Sequence, residues 1–556
     1  MSTVFHRIPR VPIDLEKVHN YSRSSHGLSE HQSSEVKVLV EALDEDLRDY
    51  DNDINQLEIQ LSFLKNQRTR AKNYGKFLGS LCSPFHRLPN ELLGAIFEEV
   101  CNDVDVEPWG KYDVSVAPFV LSAVCSRWRE FVVRNPKLWT TIRFRCPLED
   151  PEYLSSAQYE RLQEVVDLYF ERSTTFHLKV QLISSPDYEE TGLFEYFLTS
   201  SPRWECLSLY VSSLSTSCYP TLRLLDLPVL ETVFIYQCLN SDTQVGADLS
   251  VLNSATKLHT LDVIEGGLSA TSNSTVWDQL TTFTYKTSFG NLAEVLKLCP
   301  NLQYLTLADQ RPSDPYAPAL PVTAPKLTSI SVVFGRSYLD RSDMLQTAFL
   351  SSLTAPAITT LSLALEQVQH DPRSLNVLTR MSESIFRGID NFIIRSHCKS
   401  QLTKLVLDGM PLEDRDLVSL LKTLPFLEEL TVIDPCMEMN RVLPISKAFV
   451  QSLHSCSKTS HLQTSDVVLV PKLHTLILKV VAPGFDHDAF VETILSRWCP
   501  ANAKPPKDLS PLRRVNLSLS EPINEEDYKL LFTLRRSGLI FSVQLETLLP
   551  SKDAYV

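Results

Sequence analysis

The side chains of this 556-residue chain that could ligate a metal or attack an electrophile are thinly spread. Its twelve cysteines include no CxxC pair. The nearest His/Cys neighbours are His397-Cys398 and His454-Ser-Cys456, and neither has a second pair at the spacing of a tetrahedral zinc site. A cysteine-transfer ligase needs a thiol in an electropositive setting, and nothing marks one of the twelve. No GxSxG elbow, HExxH, GxGxxG or GxxxxGK[ST] occurs. Glycine numbers 15, where usage of ~7% would give about 39, which argues further against Gly-rich phosphate loops. The carboxylates are many but unordered, so no acid/base pair can be chosen. The expectation is a protein that binds rather than catalyses, without metal or cofactor.

Hydrophobic residues make up 43% and charged residues 22%, as in a globular chain with a large core. The net charge is −14, a poor match to nucleic acid or an anionic membrane. There is no signal-peptide core and no run near the ~18 apolar residues of a membrane helix. Scattered reduced thiols then place the protein in cytosol or nucleus.

Four zones follow along the chain. Residues 1–34 are rich in Ser, His and Pro, lack periodicity and read as a flexible tail. Residues 35–75 read as a coiled-coil-like helix. Val36, Val40, Leu43, Leu47, Tyr50, Ile54, Leu57, Leu61 and Leu64 alternate gaps of four and three, a heptad seam. Eight acids and one base lie between Glu41 and Glu58, and Lys65, Arg68, Arg70 and Lys72 close the helix. Acid first and base last suits the helix dipole, which accounts for the basic cluster without nucleic acid. The seam can pair two copies as a homodimer or fold back on the rest of the chain. The helix is expected to stop between Gly75 and Ser83, ahead of Pro84.

Residues 140–556 repeat one phrase of apolar, two positions, apolar, one position, apolar. It occurs as WECLSLY at 204, LETVFIY at 230, LHTLDVI at 258, LTTFTYK at 280, LQYLTLA at 302 and LTSISVV at 327. It continues as ITTLSLA at 358, LTKLVLD at 402, LEELTVI at 427, LHTLILK at 473 and LRRVNLS at 512. Spacings of 22–31 residues suit a leucine-rich repeat, and the two longest, 44 and 46, imply insertions or degenerate repeats. Each phrase is a strand with one buried face, which only stacking in a parallel sheet can cover. Residues 291–299, 416–424 and 489–498 have helical spacing and read as crossovers. The in-between positions face a concave surface, and Tyr210, Thr306, Val333, Val406, Asp408, Ile433 and Lys479 are the candidates there for holding a protein target. Their simpler reading is solvation of a sheet.

Residues 84–139 read SPFHRLPNELLGAIFEEVC from Ser83, then a polar loop over 102–117, then APFVLSAVCSRWREFVVRNPKLW. Pro89 and Pro118 suit first helical turns, each followed by an apolar stripe at helical spacing. Two short helices cannot bury both stripes alone. Leu88, Pro89, Glu91, Leu92, Ile96, Phe97, Val124, Cys125, Trp128, Leu138 and Trp139 together resemble an F-box. The order of heptad helix, F-box and irregular leucine-rich repeats is similar to fungal, basidiomycete-type F-box proteins. The resemblance implies a fold of heptad helix, small helical F-box and α/β repeat solenoid. It implies a substrate-recognition adaptor of a Skp–cullin–F-box ubiquitin ligase, with a Skp-type adaptor and through it a cullin as partners. Leu88, Pro89, Leu92, Ile96, Phe97, Leu121, Val124 and Trp128 are then divided between adaptor contact and the F-box core. The alternative is a repeat-based binding scaffold whose F-box serves no ligase.

Overall fold

No proline interrupts residues 30–83, and the chain there forms one long helix, α2, spanning Glu30–Leu81. At 1.5 Å per residue it is roughly 78 Å long. It runs through Gly75 and Gly79, past the bounds of 35–75, and ends at Leu81 inside the window expected between Gly75 and Ser83, because two glycines cost only about 1 kcal/mol each. The computed structural model describes residues 8–23, 27–102, 117–145, 156–184, 196–211, 225–237, 249–264, 275–286, 296–309, 321–335, 350, 352–366, 375–435, 444–455, 468–481, 484–499 and 509–545. Two compact units divide within the next helix, at residues 96 and 97.

In the first unit, the segment read as a flexible tail carries helix α1, Leu15–Ser22. Asp14 caps it, accepting from the amides of Glu16 and Lys17 at 3.1 Å. Lys17 pairs with Glu35 at 3.0 Å. Arg10 reaches Asp46 at 2.8 Å, Asp49 at 2.9 Å and Glu45 at 3.5 Å, so the acidic run on α2 ties this segment down. Val40, Leu43, Leu47, Tyr50, Ile54, Leu57, Leu61 and Leu64 of the seam all remain exposed.

α3 spans Asn90–Asn102. Pro89 lies just ahead of it, and its carbonyl accepts the amide of Leu93 at 3.1 Å. In the second unit the expected single helix after Pro118 is two: α4, Ala117–Val124, and α5, Ser126–Arg134. Cys125 between them is extended (φ −157°, ψ 169°), and its Sγ accepts the Trp128 amide at 3.4 Å, capping α5. The loop over 102–117 falls, from residue 103 to 116, outside the described residues.

Among the described residues, the repeat region forms a sheet of fourteen parallel strands in sequence order. These are β1 Thr141–Arg145, β2 Leu178–Ser184, β3 Trp204–Val211, β4 Thr232–Gln237, β5 Thr260–Ile264, β6 Thr282–Lys286 and β7 Tyr304–Asp309. A two-residue pair, β8 Val322–Thr323 and β10 Leu353–Thr354, stands apart from the main sheet. The main sheet continues as β9 Ser329–Phe334, β11 Thr360–Leu365, β12 Lys404–Asp408, β13 Glu429–Ile433, β14 Thr475–Val480, β15 Arg514–Leu519 and β16 Ile540–Leu545. All eleven phrases are strands, and β1, β2 and β16 extend the sheet. β11 pairs directly with β12 and β13 with β14, so the gaps of 44 and 46 are insertions and not lost repeats.

Crossovers vary with repeat length. α6 (Ser156–Ser173) precedes β2, and α7 (Leu375–Ser396) fills the 44-residue gap. α8 (Asp414–Lys422), α9 (Lys447–Ser452) and α10 (His487–Arg497) follow, and α11 (Lys529–Leu534) leads into β16. α8 and α10 match the expected crossovers at 416–424 and 489–498; of 291–299 only residues 296–299 are described. Among the described residues, 3₁₀ turns at Ser201–Arg203, Leu249–Leu252 and Thr275–Gln279 precede β3, β5 and β6.

None of the eleven phrases is followed by the asparagine of the standard leucine-rich repeat, and the backbone substitutes for its ladder. The residue entering each strand donates its amide to the carbonyl of its counterpart one repeat back. His259 donates to Glu231 at 3.1 Å, Thr281 to His259 at 2.9 Å, Gln303 to Thr281 at 2.8 Å and Glu428 to Thr403 at 2.7 Å. Satisfied buried backbone is what lets the solenoid stack.

Candidate functional site

α3 presents two apolar stripes at helical spacing. Leu93, Phe97 and Cys101 are buried. Leu92, Ile96 and Val100, each one position back, are 52%, 44% and 46% exposed. A spacing of four keeps each set on one face of the helix. Leu88 is half-buried and Pro89 exposed. On α4, Leu121 is buried while Val120 and Val124 are exposed.

The eight residues expected to meet an adaptor therefore separate. Leu88, Pro89, Leu92, Ile96 and Val124 retain accessible surface. Phe97 and Leu121 are corrected to the core. Phe97 meets Trp128 edge-on at 4.7 Å and Phe131 at 5.8 Å, so its ring is spent on packing. Trp128 is half-buried by that contact. Trp139 is wholly internal: its indole N–H donates to the Val132 carbonyl at 2.9 Å, and Phe119, Tyr169 and Arg172 surround its ring. Val100 and Val120 are outward apolar residues that sequence reasoning missed, although the four-residue spacing from Ile96 points to the first.

A second surface is the open face of the sheet. Along most strands buried and half-exposed residues alternate, and the parallel register lines the half-exposed ones into rows, with Ser208 on β3 a buried member. One row runs Ser208, Phe234, Asp262, Thr284, Thr306, Ser331, Ser362, Val406, Thr431, Ile477 and Asn516. The other contains Tyr210, Tyr236, Ile264, Lys286, Ala308, Val333, Ala364, Asp408, Ile433 and Lys479. All seven expected target-facing residues lie in these rows. Val406 and Asp408 on β12 adjoin Ile433 on β13 and then Lys479 on β14, one patch of mixed charge around an apolar centre. Thr306 and Val333 lie on the adjoining strands β7 and β9. Tyr210 belongs to another group, stacked on Tyr236 with ring centroids 4.3 Å apart. Phe234, Tyr236 and Asp262 in that group were missed, although the phrases at 230 and 258 place them at in-between positions. Burial raises the carboxyl pKa of Asp262 above its usual range, against a hydrogen bond from Thr284 and the charge of Lys286.

Chemistry is not favoured by the thiols. Burial pushes Cys101, Cys206 and Cys398 up to about 11 and Cys299 up to about 12, away from the reactive thiolate. Among the described residues no cluster of three or more His, Cys, Asp or Glu is arranged to hold a metal ion. No described helix is long and apolar enough to cross a membrane.

No protein-family model matches the chain, and no curated protein matches it. Solved structures do. An internalin from Listeria monocytogenes is 14% identical over 69% of this chain and 89% of its own, with a TM-score of 0.29. A protein from Bacteroides fragilis is 12% identical over 70% of this chain and 81% of its own, with a TM-score of 0.27. The solenoid stands on its own strand order and register.

Proposed function

We propose that this chain is a substrate receptor of a Skp–cullin–F-box ubiquitin ligase. Residues 84–139 serve as the F-box that holds a Skp-type adaptor, and the open sheet face holds a target protein. The two-sided build of α3 carries the reading. Leu92 and Ile96, which the F-box resemblance assigns to the adaptor, are exposed one position from a buried stripe that anchors the helix. Leu88 and Pro89, in the same unit as Leu92 and Ile96, add to the residues the adaptor covers, and the resemblance also assigns it Val124 of the other unit. The cullin is reached only through the adaptor. No residue of this chain performs chemistry; holding the target near the transferring enzyme raises its effective concentration. Such a ligase works in cytosol or nucleus.

The alternative, a repeat-based binding scaffold outside any ligase, is favoured by one observation. Phe97 and Leu121 are spent on packing, which leaves a smaller adaptor set than the resemblance implies. Affinity capture of the full chain and of a Leu92→Asp, Ile96→Asp double variant, read by mass spectrometry, separates the two. A receptor brings down adaptor and cullin as wild type only, with targets in both. Targets retained while adaptor is absent from both preparations would leave the scaffold.

A further inference from the structure

We propose that α2 pairs with the α2 of a second copy of this chain in antiparallel orientation, centred near Ile59. The helix is exposed along nearly its whole length past Asp53, and its apolar seam has no cover: Leu57 is 48%, Leu61 51% and Leu64 62% exposed. A continuous exposed stripe of this kind marks an interaction surface. Charge selects the occupant. Residues 41–58 hold eight acids and one base, a balance of −7. Residues 59–82 hold Lys65, Arg68, Arg70, Lys72 and Lys76 with no acid, a balance of +5. A helix with one acidic half and one basic half complements itself when reversed.

The register follows from the heptad. With Ile59 at the centre, residue i of one copy faces residue 118 − i of the other. Ile54 then meets Leu64 and Leu57 meets Leu61 in the central layers. Further out, Tyr50 meets the stem of Arg68, Leu47 meets Ala71 and Leu43 meets Gly75. Gly75 has nothing within 4 Å of where a Cβ would sit, which leaves room for a large side chain from the other copy. At the flanking positions of the heptad, Asp51 lies beside Lys65 and Asp44 beside Lys72. A parallel, in-register pair reverses the outcome: Asp46 would flank Asp51 and Asp53 would flank Glu58, like charges, while Lys65 and Lys72 would flank the neutral Gln60 and Gln67. This pairing is independent of the ligase reading.

The test is sedimentation equilibrium of the full chain across ~0.1–50 µM at low salt, with Asp51→Lys, Lys65→Asp and both together. The antiparallel pair predicts a dimer that each single reversal weakens about tenfold, since two symmetry-related ion pairs turn repulsive, and that the double reversal restores. Leu57→Asp abolishes it. A chain that stays monomeric throughout overturns the proposal, as does a double variant no tighter than either single. A dimer tightened by Asp51→Lys is parallel, and that too overturns it.

Discussion

Substituting an exposed and a buried apolar residue of α3 should produce opposite phenotypes. Phe97 is 1% exposed and packs on Trp128 and Phe131. Phe97→Ala removes that ring from a packed core, which costs about 3–5 kcal/mol of stability. Leu92, five residues earlier, is 52% exposed. Leu92→Asp changes stability by no more than about 0.5 kcal/mol, as surface substitutions do. Its effect falls on the adaptor. Covering the remaining half of a leucine is worth about 1 kcal/mol, and an unpaired carboxylate in an apolar contact costs about 2 kcal/mol more. Roughly 3 kcal/mol corresponds to a Kd weakened about 100-fold. Urea melts and calorimetric titration with a purified Skp-type adaptor measure both quantities on each variant. If Leu92→Asp shifts the urea midpoint as far as Phe97→Ala while leaving adaptor affinity intact, the assignment of the two faces is wrong.

Three further outcomes follow. Arg497 is buried, its guanidinium donates to the carbonyls of Leu469 at 3.2 Å and Val470 at 2.7 Å, and burial pulls its pKa down to about 10. Arg497→Ala strands those carbonyls and leaves a cavity, so urea denaturation should show a loss of about 3 kcal/mol. Asp486 caps α10 through the Ala489 amide at 2.8 Å and meets Lys447 at 2.6 Å; the Lys447 bond first and the amide second hold its carboxyl below the usual range. That contribution is complete above the unfolded carboxylate value near ~3.9 and fades as pH falls through the lower folded value. Asp486→Asn should therefore flatten the acid limb of stability against pH, and an unchanged limb contradicts it. Ile433→Asp, at the centre of the mixed patch on β12 to β14, should lose captured target proteins with an unchanged melting temperature, checked by quantitative mass spectrometry.

How far the sequence could be read depended on the physics behind each signal. The eleven strand phrases were legible because a half-buried strand must alternate, and Leu261, Val263 and their counterparts are buried as that alternation demands. α7 was not foreseen: its buried Ile385, Ile389 and Phe392 have helical spacing but sit inside an insertion that offers no strand phrase to frame it. The break at Cys125 was illegible, because Leu121, Val124, Cys125 and Trp128 continue one helical stripe and only a thiol cap interrupts it. Among the surface candidates, the rows of the sheet were readable from period two. Which of Phe97 and Ile96 points outward was not, since both are apolar and adjacent, and three-dimensional packing alone separates them.

Central to this account is the claim that residues 84–139 dock a Skp-type adaptor. Its most direct measurement is an isothermal titration of the purified full-length chain with that adaptor, alone and free of other ligase subunits. The account predicts saturable one-to-one binding per chain that Leu92→Asp weakens and Ile433→Asp leaves unchanged. No binding by a chain whose melt shows it folded would contradict it.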